Sequence, residues 1–133
     1  MNNITEDTKS YPALQGKFMS HIDKKIFERF ISTLPETVRP KILNTYKKDI
    51  QERYNGCLKA INKNDIETLE REAHTLKSLF RMLGATSPGE IAFSIEKHCT
   101  NSGNPKEIQS QVEELAEIIE AILNELNKII AHQ

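Results

Sequence analysis

Apolar residues recur along most of this chain at alternating three- and four-residue spacing, the period of an α-helix with one buried face. From Ile22 onward, Ile26, Phe27, Phe30, Ile31 and Leu34 predict a short first helix stopped by Pro35. Pro40 lies near the start of a second helix whose apolar face runs through Leu43, Tyr46, Ile50, Tyr54, Cys57, Leu58 and Ile61. A third helix carries Ile66, Leu69, Ala73, Leu76, Phe80 and Leu83. The last carries Ile108, Val112, Leu115, Ile119, Ile122, Leu126 and Ile129. Residues 1–20 lack any period and read as a flexible arm ahead of a single domain, residues 21–133.

Helix starts are marked by Asn64 with Glu67, Ser87 with Glu90 and Asn104 with Glu107. Each pair resembles a capping box, a short polar side chain on orphan N–H groups with an acid reaching back three residues later. Pro88 and Pro105 fall where a first helical residue is expected, and Gly84 and Gly103 where helices end. Stripes of this kind must meet other helices, and short connections make neighbours antiparallel. The expected fold is all-α, an antiparallel up-down four-helix bundle with an additional short N-terminal helix.

Composition narrows the function without naming it. The chain has 133 residues, enough for one domain with a real core. Eighteen basic and 19 acidic residues give a formal net charge of −1, without the cationic excess that nucleic acid or an anionic membrane requires. No apolar run approaches the roughly 20 residues of a membrane span, and the polar start, Met1–Leu14, lacks the apolar core of a signal peptide. A cytoplasmic protein is expected. Cys57 and Cys99 stand alone and read as reduced, partly buried thiols. There is no Gly-rich phosphate loop, kinase ATP-binding motif or nucleophile–base constellation, so the chain is not expected to be an enzyme.

One residue breaks the pattern of buried and solvated faces. At about 100° per residue, His74 lies roughly 130° around the third helix from the centre of its apolar stripe. Its own face holds Glu67, Glu70, Lys77, Ser78 and Arg81, and Lys77 is one turn along. An exposed His on a mixed-charge face is equally compatible with an ordinary solvated surface.

The stretch Ala73-His74-Thr75-Leu76-Lys77, with Leu83-Gly84-Ala85 closing the same helix, resembles the signature of histidine phosphotransfer (HPt) domains. The acidic run Asn64–Glu72 is similar to that family's entry into the helix. Ile91, Ala92, Ile95 and Glu96 fall where the family has apolar or small residues followed by Glu or Gln. The resemblance covers most of Ile22–Leu126 in pattern, and its specific part is Ala73–Glu96.

The resemblance implies that His74 exchanges a phosphoryl group, on its outer nitrogen Nε2, with an aspartyl-phosphate on a response-regulator receiver domain. The receiver would supply Mg²⁺ and most of the transition-state stabilisation, leaving this chain without a cofactor or metal of its own. An imidazole of ordinary pKa, about 6.5, is largely neutral and nucleophilic near neutrality. Lys77 would offset the charge of the phosphohistidine, and Glu96 would hydrogen-bond the inner ring nitrogen and orient the ring. The implied partners are receiver domains and a sensor histidine kinase, met by a monomer whose docking surface takes in Ser78, Arg81, Phe18, Met19 and Ile22. The last three could equally cap the bundle.

Some positions depart from the family. Ser78 stands where Gly is usual, Leu79-Phe80 are bulky, and Arg81 lies two turns from His74 on nearly the same line. Arg81 could swing aside, contact an acidic patch on one receiver, or hinder docking. Pro88 replaces the usual Leu and suggests a later start to the fourth helix. Three alternatives therefore stay beside the carrier reading. They are an HPt-like module that docks on a receiver or kinase and inhibits it without carrying phosphate, a purely structural bundle, and a metal site using His74, His98 and Cys99.

Overall fold

The computed structural model describes residues 21–132. Five α-helices make up most of it: α1 (Lys24–Ser32), α2 (Arg39–Asn62), α3 (Ile66–Leu83), α4 (Thr86–Thr100) and α5 (Pro105–Ala131), with a 3₁₀ turn at Glu36–Val38. The expected all-α class holds, and no strand occurs among the described residues. The N-terminal arm, with Phe18 and Met19, lies outside them.

Helix α3 packs between α2 and α4, α5 lies against the same two helices, and α1 rests on α3. Cross-links set the directions. Thr100 reaches Glu70 while Glu96 reaches His74, so α3 and α4 run antiparallel. The Tyr54 hydroxyl donates to the Val112 carbonyl at 2.9 Å, and Lys47 reaches Asn127, giving α2 and α5 the same opposed sense.

The stripes read from the sequence form the core. Leu43, Ile50, Leu69, Leu76, Phe80, Leu83, Leu115, Ile122 and Leu126 are fully buried. Leu58 and Ile66 are exceptions, both exposed. The Thr100–Glu70 link sets the end of α4 level with Glu70, so Ile66, one turn beyond, has no α4 residue above it. Cys57 and Cys99 are buried and free, and burial pushes their thiols up to about 12 and about 11. Neither is a ready nucleophile at neutral pH.

Two helix starts differ from expectation. Asn64 takes a left-handed conformation (φ 56°) and ends α2, so the cap of α3 falls to Asp65. The Asp65 carboxylate accepts from the Thr68 hydroxyl at 2.7 Å and the Thr68 N–H at 3.1 Å, which hold it below its ordinary pKa. Helix α4 begins at Thr86 without a side-chain cap, before Ser87. Pro88 therefore sits at the third helical position. Like the first, it lacks an intrahelical N–H partner, so Pro costs no hydrogen bond there. At α5 the reading holds: Asn104 caps the Lys106 N–H at 2.8 Å and Pro105 opens the helix.

Gly84 makes the α3–α4 reversal. Its φ is +82°, and a Cβ there would lie 2.8 Å from the Asp23 carbonyl oxygen and 3.0 Å from Ile26 Cβ. The Asp23 N–H also donates to the Gly84 carbonyl at 2.7 Å, tying α1 to this corner. Gly84→Ala is expected to cost about 1–3 kcal/mol through left-handed strain and displacement of α1. A urea midpoint equal to that of the wild type would show that the corner relaxes freely.

Candidate functional site

The α3–α4 face gathers three polar side chains, His74, Lys77 and Glu96. The His74 imidazole stands clear of the core, 58% exposed, because its position on α3 lies off the face that carries Ala73 and Leu76. From α4, Glu96 reaches the ring, with Nδ1 and Oε2 2.7 Å apart. The other carboxylate oxygen, Oε1, accepts from Lys77 Nζ at 2.7 Å. One carboxylate thus bridges the imidazole and the ammonium.

The bridge sets the tautomer. Burial acts to raise the Glu96 pKa, but hydrogen bonds from Lys77 and His74 and their charges outweigh it, and the carboxyl is held below its ordinary value. At neutral pH Glu96 is a carboxylate and can only accept, so Nδ1 carries the hydrogen. Nε2 keeps its lone pair and has no hydrogen-bond partner among the described residues. A ring held at one nitrogen and open at the other can act as a nucleophile at the open one.

A lowered carboxyl pKa stabilises the fold above the unfolded carboxylate pKa, about 4.3, and that contribution is lost as pH falls through the lower folded value. The melting-temperature gap between wild type and Glu96→Ala is therefore expected to be wider at pH 5 than at pH 3. A gap equally wide at both would mean that the ionised carboxylate is not what stabilises.

Lys77 sits differently from a lysine free to reach past the ring. Only 13% of its side chain is exposed, and it is committed to Glu96. Ser78 is exposed, its hydroxyl donating to the His74 carbonyl at 3.3 Å, so the helix surface one turn from His74 stays low. Leu79 is half-buried and Phe80 fully buried, away from that surface. The Arg81 guanidinium leans onto α4, 5.4 Å from the Phe93 ring centroid. Ile22 is buried in the core and offers no exposed apolar face.

Some site features were not read from the sequence. Phe93 is exposed beside Glu96, and the Thr100 hydroxyl donates to Glu70 at 2.7 Å, drawing that carboxylate toward α4. Phe93 could have been found, because it falls off the Ala92–Ile95–Cys99 stripe. His98 pairs through Nδ1 with Gln111 of α5 at 3.0 Å, and among the described residues no three metal-ligating side chains converge. None of the described helices is long and apolar enough to cross a membrane.

A family model, the Hpt domain, matches residues 41–125, which span α2 to most of α5 and include all three bridged residues. No curated protein and no solved structure matches the chain.

Proposed function

The chain belongs to the Hpt domain family, phosphotransfer modules of two-component systems, and from that premise we propose that it carries a phosphoryl group on His74 between a sensor histidine kinase and response-regulator receiver domains. The observation that carries this reading is the 2.7 Å contact from His74 Nδ1 to the Glu96 carboxylate, on a ring whose Nε2 side is open.

The chemistry follows from that contact. The Nε2 lone pair attacks the phosphorus of the receiver's aspartyl-phosphate. An N–P bond forms, the acyl-phosphate P–O bond breaks, and the aspartate leaves as carboxylate. No proton leaves Nε2, because Nδ1 already holds the ring's hydrogen, and the ring becomes a phosphorylated imidazolium. Glu96 offsets that positive charge at 2.7 Å, and Lys77 holds Glu96 in place. Mg²⁺ is assigned to the receiver. Because each partner must reach the same face in turn, the working form is taken as a monomer in the cytoplasm.

Lys77→Ala is expected to slow transfer about 10-fold, equivalent to ~1.4 kcal/mol in the barrier, by freeing the Glu96 carboxylate from its second anchor. Wild-type rates would remove Lys77 from the mechanism.

The direct test mixes the purified chain with a panel of phosphorylated receiver domains and follows phosphate on the chain. Acid-labile, base-stable label is the expected result. Binding to a receiver without label would instead identify an inhibitory docking module.

A further inference from the structure

The buried face of α4 runs through Pro88, Ala92, Ile95 and Cys99. Phe93 lies about 100° away from Ala92 and is 38% exposed, one turn before Glu96. Its ring is surrounded by cations: Lys77 Nζ at 5.1 Å from the centroid, Arg81 Cζ at 5.4 Å and Lys97 Nζ at 5.4 Å. Lys77 is neutralised by Glu96. Arg81 and Lys97 are exposed and form no ion pair with any described residue.

Both cations lie against one aromatic ring, and no carboxylate of the described residues pairs with either of them. A carboxylate brought in from outside would pair with them, while the ring edge supplies apolar contact. Aromatic and Arg side chains in this combination are the kind that dominate protein interfaces. The patch adjoins His74 through the shared residue Lys77, but extends along α4 rather than encircling the imidazole. A second copy of the chain would bring the same cations against themselves, which disfavours self-association here.

Building on the carrier reading, we propose that Phe93, Arg81 and Lys97 form an off-centre anchor that selects receiver domains whose docking rim carries carboxylates beside an apolar contact. The anchor sets which partner binds; His74 and Glu96 set what happens once it has bound. Arg81 thereby gains a role from a position that also leaves the approach to His74 clear.

The test titrates receivers of differing rim charge against wild type, Phe93→Ala and the double variant Arg81→Glu/Lys97→Glu, at low and high salt. Labelling of His74 by phosphoramidate, which passes its phosphoryl group to imidazole and releases ammonia, reports on the nucleophile without any receiver. The Kd for the receiver that wild type prefers should rise at least about 10-fold in the double variant and in Phe93→Ala. Salt dependence should weaken in the double variant, while phosphoramidate labelling stays at the wild-type level. Unchanged Kd values and unchanged ranking of receivers would overturn the anchor. So would an equal loss for acidic and non-acidic receivers, or self-association of the wild type that these variants abolish. If wild type binds receivers but takes no label from them while the variants lose binding, the anchor stands and the carrier reading falls. Equal transfer to wild type and variants would have the reverse meaning.

Discussion

His74→Gln is expected to abolish acid-labile, base-stable phosphate on the chain after exposure to phosphorylated receivers, a loss of at least about a thousandfold. The amide of Gln can still donate to the Glu96 carboxylate, but offers no nitrogen lone pair where Nε2 stood. The substituted ring is 58% exposed and packs on nothing in the core, so stability should move by no more than about 0.5 kcal/mol. Receiver binding should also survive, because the proposed anchor of Phe93, Arg81 and Lys97 is left intact. Label remaining on His74→Gln would place the phosphoryl group elsewhere. The described alternatives are then His21, His98, paired with Gln111, and His132, whose Nδ1 meets the Lys128 carbonyl at 2.7 Å.

Phe80→Ala is expected to show the opposite profile. Phe80 is the largest fully buried side chain of the core, and its Cβ lies 3.6 Å from where a Cβ on Gly89 would sit, so it packs α3 against the start of α4. Truncation removes a buried ring and leaves a cavity, at a cost of about 3–5 kcal/mol. Against a total stability of roughly 5–15 kcal/mol, that is enough to unfold a large fraction of the protein near its working temperature. The chemistry of His74 is untouched, so transfer by the folded fraction should match wild type at temperatures where the variant remains folded. A denaturant midpoint close to wild type would mean that neighbouring side chains collapse into the space. Reduced transfer at full folding would mean instead that the α3–α4 spacing positions Glu96.

The contrast between these variants tracks what was legible at each level. The stripes of α3 and α5 were readable because helical periodicity is local, and Leu69, Ala73, Leu76, Phe80 and Leu83 are buried as read. The phase of His74 followed from the same arithmetic, and its ring is exposed. Ile66 fits the same period yet is exposed, since burial needs a neighbour as well as a phase. Helix starts at Asn64 and Ser87 misled for a related reason. Several short polar residues near a boundary can each cap, and the path of the chain into the turn selects among them. The left-handed Asn64 passes the role to Asp65, and the tight Gly84–Ala85 reversal starts α4 before Ser87 is reached.

By itself, the amino-acid sequence determined the helical class, the inward stripes, the outward His74 and the Hpt signature around it, all properties carried by residues within a few turns of one another. Tertiary structure alone decided that Lys77 is turned to Glu96 and that Arg81 and Lys97 both lie against Phe93, whereas the Glu96 contact to Nδ1, present at 2.7 Å, was implied by the family resemblance. The reason is physical. Those contacts join α3 to α4 across 12 to 22 residues of chain or depend on the rotamers that their packing permits, and a helical period specifies which face a side chain occupies but not what stands opposite it.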